Sequence, residues 1–259
     1  MSAYVHAQLL AGRNMLITGV ADEHSIAWGC AKAFHEMGAR LAITYRTEKM
    51  RETVAPLARE LDALCLPLDV TVEGQTAALF RRLEKEFGVL HSVLHSIAFA
   101  PKADLHVALS SCSRAGFLTA MDCSCYSFIE MARLAAPLMT QGGTLFTMSF
   151  NGAHRVVQDY NVMGPVKAAL EATVRYLAHE LGPRGIRVHA ISPGPIRTLA
   201  ASGIAHLDKL IQTEASRAPA GANAGIENVG YATAMLAVDN ARLITGSTIY
   251  VDGGAHIMN

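Results

Sequence analysis

The sequence predicts a doubly wound α/β fold, in which a parallel sheet of about seven strands carries helices on both faces. Short, wholly apolar runs alternate with amphipathic stretches along the chain, which is typical of strands that crossover helices bury on both sides. A length of 259 residues suits one large α/β domain better than two small ones. We find no internal repeat, low-complexity tract or linker, so we expect a single domain over residues 1–259.

The apolar runs and the stretches between them predict the elements in order. The predicted strands cover residues 14–20, 41–45, 64–70, 89–96, 144–149, 187–191 and 247–251. The predicted helices cover residues 25–37, 48–61, 73–87, 117–139 and 167–181. The segment 198–227 breaks this alternation and follows the carboxyl end of a strand, where such sheets bind ligands. We therefore expect it to be a substrate lid.

Composition excludes several classes of partner. Hydrophobic residues form 51% of the chain and charged residues 17%, which suggests a large core or buried subunit interfaces. Lys+Arg and Asp+Glu are equal at 22 each. The chain therefore lacks the excess of basic residues that would indicate binding to nucleic acid or to an anionic membrane. No apolar run reaches the roughly 18 residues that a membrane-spanning helix needs. We find no signal-peptide pattern and expect a cytoplasmic protein.

Cysteine and histidine patterns predict no metal site. The five cysteines are odd in number and scattered, as reduced thiols of a cytoplasmic protein would be: Cys30, Cys65, Cys112, Cys123 and Cys125. The pair Cys123-Ser-Cys125 is too closely spaced for the usual zinc pattern. Among 11 histidines, none shows ligand spacing with a carboxylate, and His95, His154 and His189 lie near predicted strand ends. We interpret these histidines as structural.

The turn after the first predicted strand has features of a dinucleotide site, as in folds of Rossmann type. Gly19 allows a sharp turn, Ser25 is well placed as the N-cap of the next helix, and Gly29 allows that helix to pack closely on the sheet. Backbone N–H groups at such a helix start face a diphosphate. The pattern is not the tight G-x-G-x-x-G fingerprint, and glycines at this turn are as often turn residues alone.

The end of the second predicted strand bears on the choice of nicotinamide cofactor. NAD-binding folds usually carry an acid here for the ribose hydroxyls, whereas an arginine can hold the phosphate of NADP. Arg46 at this place permits NADPH. The alternative is a solvated arginine that stacks on the adenine. Asp69 and Val70, at the end of the third strand, are candidates for contact with the adenine.

Tyr160 and Lys167 form the predicted reaction centre. They are seven positions apart, which at about 100° per residue is nearly two helical turns, so that both would share one helix face. A lysine ammonium near a phenol stabilises the phenolate and lowers the tyrosine pKa. By spacing alone, a surface tyrosine and lysine are the commoner arrangement. Pro165 belongs in a first helical turn, so we expect regular helix to start near Gly164 or to be distorted there.

Several motifs occur in the order seen in one known family. They are Gly19…Ser25-Ile26, His95-Ser-Ile-Ala-Phe-Ala-Pro101, Ser124-Cys-Tyr-Ser-Phe128, Tyr160-Asn-Val-Met-Gly164 with Lys167, Ile191-Ser-Pro-Gly-Pro-Ile-Arg-Thr-Leu-Ala200 and Tyr250-Val-Asp-Gly-Gly254. Over essentially its whole length the chain resembles the bacterial NADH-dependent enoyl-acyl-carrier-protein reductases of the short-chain dehydrogenase/reductase superfamily. The Tyr-x6-Lys spacing is specific, because most of that superfamily has Tyr-x3-Lys.

The resemblance implies a reaction of fatty acid synthesis. Hydride moves from the nicotinamide to the β-carbon of a trans-2-enoyl thioester, and the enolate that results is protonated at the α-carbon. Tyr160 would hydrogen-bond the thioester oxygen, and Lys167 would hold the nicotinamide ribose. The resemblance favours NADH as cofactor, acyl carrier protein as the carrier of the substrate, and a homotetramer. The predicted helices 117–139 and 167–181 are the candidate interfaces.

The same resemblance implies which residues line the site. The cofactor-binding residues would be Gly19, Ser25, Ile26, Arg46, Asp69, Val70, Ser96, Ile97, Ala98, Lys167, Ile196, Arg197, Thr198, Leu199 and Ala200. The substrate-binding residues would be Ala100, Phe150, Tyr160 and Met163. The loop 198–209 would close over the acyl chain and exclude water.

Two departures from the family pattern leave alternatives open. The family usually has a second tyrosine where this chain has Phe150. If the hydroxyl of that tyrosine donates to the enolate, its absence here lowers turnover. If the tyrosine ring only shapes the pocket, phenylalanine changes little. Ser149 should point to the other side of the strand. The lid stretch 205–209 reads Ala-His-Leu-Asp-Lys, with few of the basic residues that meet an acidic carrier protein. A coenzyme A thioester therefore becomes an alternative substrate to a thioester of acyl carrier protein.

Two other functions compete with enoyl reduction. The missing hydroxyl at Phe150 and the weakly basic lid motivate a carbonyl or ketone reductase on the same scaffold. A non-catalytic dinucleotide-binding protein, such as a redox sensor, is the third hypothesis. The presence of both Tyr160 and Lys167 argues against it, because a sensor needs neither.

Overall fold

The strand order places a topological switch point in the middle of the sheet. The computed structural model describes residues 8–204 and 206–258, in which seven parallel strands form one sheet: β1 (Asn14–Ile17), β2 (Arg40–Tyr45), β3 (Leu64–Pro67), β4 (Ser92–His95), β5 (Gly143–Met148), β6 (Ile186–Pro193) and β7 (Thr248–Val251). Their order is β3-β2-β1-β4-β5-β6-β7. The chain reverses its direction across the sheet between β1 and β4, which is where doubly wound sheets bind ligands. The predicted fold class is confirmed.

Helices cover both faces of this sheet. They are α1 (Ile26–Glu36), α2 (Glu48–Glu60), α3 (Gln75–Phe87), α4 (Lys102–Leu105), α5 (Arg114–Met121), α6 (Ser127–Ala135), α7 (Met163–Leu181), α8 (Leu207–Arg217) and α9 (Ile226–Ala237). Buried side chains of α1, α2 and α9 form one core against the sheet, and those of α3, α6 and α7 form another. No helix in residues 8–204 and 206–258 is long and apolar enough to cross a membrane.

The predicted long helix over residues 117–139 is interrupted in the structure. A π-helical segment, Asp122–Tyr126, separates α5 from α6, and a 3₁₀ turn follows at Ala136–Leu138. At the π segment, the Ser127 hydroxyl donates to the Cys123 carbonyl at 2.7 Å and also contacts His95 Nε2 at 2.8 Å. A side chain that bonds the preceding turn disturbs the regular ladder. Apolar periodicity does not reveal such a bond.

The region after β6 contains two helices that the sequence reasoning did not predict. α8 lies within the predicted lid, and α9 begins where that lid ends. Asn228 marks the start of α9, because its side chain accepts a hydrogen bond from the Gly225 N–H at 2.8 Å. This local signal of an N-terminus could have been read from the sequence.

Gly29 lets α1 approach another helix, and the prediction that it packs on the sheet is wrong. A Cβ at Gly29 would lie 2.3 Å from the carbonyl oxygen of Ile226 at the start of α9. On the facing helix, a Cβ at Gly230 would lie 2.3 Å from the carbonyl oxygen of Gly29. Backbone therefore meets backbone at this crossing, and a methyl group has no space on either side.

We predict that Gly29→Ala destabilises the protein. The added methyl would push α1 and α9 apart, and overpacking of this kind costs about 1–3 kcal/mol. The free energy of unfolding from urea titration measures the effect. Gly182→Ala is the matched control, because Gly182 has helical φ −52° and no atom within 4 Å of an added Cβ. It should stabilise the chain by about 0.4–1 kcal/mol; equal losses in both variants would contradict the prediction.

Candidate active site

A cavity of about 370 Å³ opens at the carboxyl ends of β4, β5 and β6. Predicted site residues that line it are Ile26, Ser96, Ile97, Ala98, Ala100, Phe150, Tyr160, Met163, Lys167, Ile196, Thr198, Leu199 and Ala200. Predicted site residues outside this lining are Gly19, Ser25, Arg46, Asp69, Val70 and Arg197. Lining residues that the sequence reasoning assigned no role at the cavity include Phe99, Lys102, Leu105, Met148 and residues 193–195. They are close neighbours of the predicted residues along the chain, and that proximity was the available signal.

The cavity wall is mainly apolar and carries little charge. Its only charged side chains among the described residues are Lys102 at the mouth and Lys167 at the base, and no carboxylate lines it. Such a wall suits an uncharged acyl chain with a polar head at one end.

In the turn after β1, the backbone at Gly19 lies very close to the backbone that follows β4. Gly19 has φ +87°, and a Cβ there would lie 2.0 Å from the Ser96 carbonyl oxygen at the end of β4. Ser25 occupies the N-cap of α1, as predicted, but its hydroxyl donates to the Asp22 carbonyl at 2.6 Å instead of capping the helix. First-turn N–H groups of α1 are therefore left for an anion such as a diphosphate. These residues fit a dinucleotide.

Arg46 forms an ion pair with Asp69 at the edge of this turn. Arg46 Nε donates to Asp69 Oδ2 at 2.9 Å, and the guanidinium lies 5.8 Å from the centre of the Phe99 ring. Burial alone would raise the pKa of Asp69, yet hydrogen bonds from Thr71 and Arg46 hold it below its usual range. The Arg46 side chain is 51% exposed. It is thus oriented by Asp69 while one side of the guanidinium still faces solvent, where a phosphate could approach.

Tyr160 precedes α7 and does not share a helix face with Lys167, so that prediction is wrong. α7 begins at Met163, with Pro165 in its first turn as expected. Asp159 and Asn161, on either side of Tyr160, have φ +64° and +39°, and the Asn161 side chain donates to the Leu105 carbonyl at 2.7 Å. Tyr160 therefore lies in irregular backbone between two left-handed residues, which helical spacing cannot describe.

Packing fixes the position of the Tyr160 ring. Its edge meets the Phe150 ring with 5.0 Å between the ring centres and 60° between the planes. A Cβ at Gly152 would lie 2.5 Å from Tyr160 Cδ1. Phe150 thus forms part of the wall that orients Tyr160, although it lacks a hydroxyl of its own.

The prediction that Lys167 lowers the pKa of Tyr160 is also wrong. Burial raises the pKa of Tyr160 above its ordinary value, and its hydroxyl makes no hydrogen bond to any residue that the structure describes. The Lys167 ammonium instead donates to the Met148 carbonyl at 2.6 Å. Burial lowers the pKa of Lys167 to about 8. The phenol therefore keeps its proton at neutral pH and is available as a donor.

Ser149 points away from Phe150, as strand alternation predicted. Its hydroxyl donates to Glu171 on α7, which is 2% exposed. Thr248 donates to the same carboxylate at 3.1 Å, and His154 Nε2 contacts it as well. Sequence reasoning missed Glu171, because a glutamate within a helix is usually solvated.

The histidines near strand ends are buried apart from His154. His95 contacts the Thr147 and Ser127 hydroxyls at 2.9 and 2.8 Å, and burial lowers its pKa to about 3. His189 stacks on Phe146 with 5.9 Å between ring centres. All five cysteines are free thiols. Within residues 8–204 and 206–258, no group of three or more His, Cys, Asp or Glu side chains could hold a metal ion.

Comparison with known proteins shows similarity along nearly the whole chain. Residues 19–256 match the family model described as enoyl-(acyl carrier protein) reductase. The enoyl-acyl-carrier-protein reductase (NADH) of Bacillus cereus is 44% identical over 254 residues, which cover 97% of this chain and 99% of that protein. The corresponding enzyme of Aquifex aeolicus is 45% identical over 252 residues, covering 96% and 93%.

Solved structures agree with the sequence comparison. The crystal structure of the Aquifex aeolicus enzyme superimposes with a TM-score of 0.93, at 45% identity, and covers 97% of this chain and 99% of that chain. The Bacillus cereus enzyme, in complex with NADP+ and indole naphthyridinone, gives a TM-score of 0.95 at 44% identity with the same coverage. From its motifs, its fold and these matches, the chain belongs to the enoyl-acyl-carrier-protein reductase family.

Proposed function

We propose that the protein reduces the 2,3 double bond of trans-2-enoyl thioesters in fatty acid synthesis, with NADH as cofactor. The observation that carries this proposal is the buried Tyr160 side chain in an apolar cavity wall, with the Lys167 ammonium at the base of the same cavity. Arg46 also admits NADPH, since its half-exposed guanidinium can meet a phosphate. The bound nicotinamide supplies the hydride.

Tyr160 acts as the donor to the thioester oxygen. Negative charge gathers on that oxygen when hydride reaches the β-carbon, and a preplaced donor stabilises it without reorganisation. The raised pKa keeps the phenol protonated, so it donates a hydrogen bond throughout the neutral range. The ring contacts with Phe150 and Gly152 hold the hydroxyl in place.

Lys167 and the loops after β1, β4 and β6 hold the cofactor. The Gly19 turn and the uncapped start of α1 at Ser25 and Ile26 take the diphosphate. Arg46, Asp69 and Val70 border the adenosine. The Lys167 ammonium binds the nicotinamide ribose. The rest of the nicotinamide site consists of Ser96, Ile97, Ala98, Ile196, Arg197, Thr198, Leu199 and Ala200.

The acyl chain lies beside the segment 198–227, which acts as the lid of a single domain. Ala100, Phe150 and Met163 border the chain. Residues 198–204 and Leu207 line the cavity, and Arg197 pairs with Asp208 at 2.5 Å across the start of α8. Such a segment shields the reaction from water.

Acyl carrier protein is the proposed carrier, and coenzyme A is the alternative. Arg197 is already paired with Asp208 on α8, which leaves Lys209 and Arg217 as the lysine and arginine of the lid that can meet an acidic partner. A ketone reductase is the second candidate function, favoured by the absence of a hydroxyl on Phe150. Both alternatives are outcomes of the assay below.

We also propose a homotetramer in the cytoplasm. Exposed apolar side chains on α5, α6 and their π segment, including Leu118, Tyr126 and Ile129, would be covered by a second copy, as would Tyr176 on α7. The five free thiols suit a reducing compartment.

The first test measures turnover of a crotonyl thioester on each carrier with NADH and with NADPH. We expect loss of nicotinamide absorbance, and a Tyr160→Phe variant should lose about 10²- to 10³-fold in kcat, the usual effect of one such donor. Tyr176→Phe is the matched control, because Tyr176 lies outside the cavity lining and the change keeps its ring, and it should keep full activity. Faster reduction of ketones would favour the carbonyl reductase, and no turnover with any substrate would contradict enzymatic function.

The second prediction concerns pH. Because the pKa of Lys167 is lowered to about 8, the ammonium is present below that pH and is lost as the pH rises through it. Dinucleotide affinity, measured by NADH fluorescence in the absence of substrate, should therefore fall above about pH 8. Lys167→Arg keeps its charge and should show no such fall, even if its affinity is lower. An equal decline in both proteins would assign the titration to another group.

The third prediction concerns assembly. Light scattering should give a particle of four 27.6 kDa chains. Tyr126→Glu places a charge on the proposed interface and should reduce the particle mass, whereas Val156→Glu, at a fully exposed side chain outside these helices, should not. A wild-type particle of one chain would refute the assembly.

A further inference from the structure

We propose that Lys102, at the mouth of the cavity, binds the phosphate of the pantetheine arm that carries the enoyl thioester. The inference rests on the proposed function and deepens it, because it names the part of the carrier that this chain recognises. Acyl carrier protein and coenzyme A both hold their thioester on such an arm, so either carrier presents the same phosphate.

The two ammonium groups of the cavity lining differ in their access to solvent. Lys167 is 4% exposed at the base, whereas Lys102 is exposed. A cavity of about 370 Å³ has room for a short acyl chain and part of the arm but not for a carrier, so the arm runs from the buried Tyr160 to the mouth. The arm itself is uncharged, and its terminal phosphate is the first charge on the way to the carrier. Lys102 lies where the arm leaves the apolar wall.

The short helix α4 holds Lys102 at this opening. Lys102 and Leu105 are three positions apart on α4, and both line the cavity. The Asn161 side chain donates to the Leu105 carbonyl at 2.7 Å. On the other side, a Cβ at Gly203 would lie 3.2 Å from Leu105 Cδ2. The helix is therefore packed between the segment that contains Tyr160 and the start of the lid.

No carboxylate occupies the Lys102 ammonium among the residues that the structure describes, since this side chain forms no ion pair or hydrogen bond with them. The carboxylate of Asp104, two positions on, accepts from the Ser113 N–H at 2.6 Å. Asp208 on the lid pairs with Arg197 at 2.5 Å. The three N–H donors of Lys102 are thus available to an anion, and phosphate oxygens accept charge-assisted hydrogen bonds from such a group.

The test uses two substrates that differ only in the phosphate, crotonyl 4′-phosphopantetheine and crotonyl pantetheine, with saturating NADH. Lys102→Met removes the charge and keeps an unbranched side chain. For the phosphorylated substrate, KM should rise about fivefold, the upper end for a solvent-exposed ion pair. Its kcat should stay unchanged, because the reacting atoms lie at Tyr160. For crotonyl pantetheine, both constants should stay unchanged.

Two further variants separate this contact from a general effect of charge. Lys102→Arg keeps a cation at the mouth and should restore most of the affinity for the phosphorylated substrate. Lys85→Met is the matched control, because it removes the same charge from an exposed position on α3 outside the cavity lining. Its KM for both substrates should equal that of the wild-type protein. Added salt should weaken the wild-type preference for the phosphorylated substrate, since it screens an exposed pair.

Crotonyl thioesters of coenzyme A and of acyl carrier protein distinguish the two sources of the phosphate. A higher KM for both in Lys102→Met supports recognition of the arm on either carrier, and a rise with one of them alone identifies that carrier as the source. An unchanged KM for crotonyl 4′-phosphopantetheine overturns the proposal. An equal rise with crotonyl pantetheine also overturns it, because that substrate has no phosphate.

Absence of turnover in the wild-type protein overturns the proposed function instead. The phosphate contact is then decided by calorimetric titration of the butyryl thioesters of 4′-phosphopantetheine and pantetheine, which requires no reaction. Tighter binding of the phosphorylated compound that Lys102→Met abolishes supports the contact, and equal binding of the two compounds to the wild-type protein overturns it.

Discussion

The buried ammonium of Lys167 requires a hydrogen-bond acceptor, and the carbonyl of Met148 at the end of β5 supplies it. A lysine without a partner at this depth would lose its proton or draw water into the core. This bond joins α7 to the end of β5. The two residues that follow β5, Ser149 and Phe150, point in opposite directions. Phe150 packs on the Tyr160 ring, and Ser149 binds Glu171 one turn further along α7. Three contacts between one helix region and one strand end therefore set the geometry of the cavity.

Much of the fold could be predicted because a parallel sheet imposes a simple pattern. Strands buried on both faces are apolar throughout, and the helices between them are amphipathic. The errors arose where local hydrogen bonds override periodicity. The Ser127 hydroxyl accompanies the π segment between α5 and α6, and the left-handed residues beside Tyr160 remove it from the helix. Neither feature changes the pattern of apolar residues.

The candidate site was predictable as a set of loops but not as a set of contacts. Strand ends identified most of the cavity lining, because carboxyl ends of parallel strands meet at one edge. The expected effect of Lys167 on Tyr160 failed, because sequence distance cannot tell which acceptor a flexible lysine reaches. Glu171 was missed for a related reason, since its partners Ser149 and His154 follow β5 and Thr248 lies on β7, all far from Glu171 along the chain.

The glycine contact between α1 and α9 has a mechanical consequence for the lid. α9 begins where the segment 198–227 ends, and its backbone touches that of α1 at Gly29. α1 in turn starts at the turn that suits a diphosphate. The carboxyl end of the proposed lid is thus tethered to the same packed helix pair that would receive the cofactor. If this segment closes over the cavity, it would bend near the loop after β6, because its other end is held against α1.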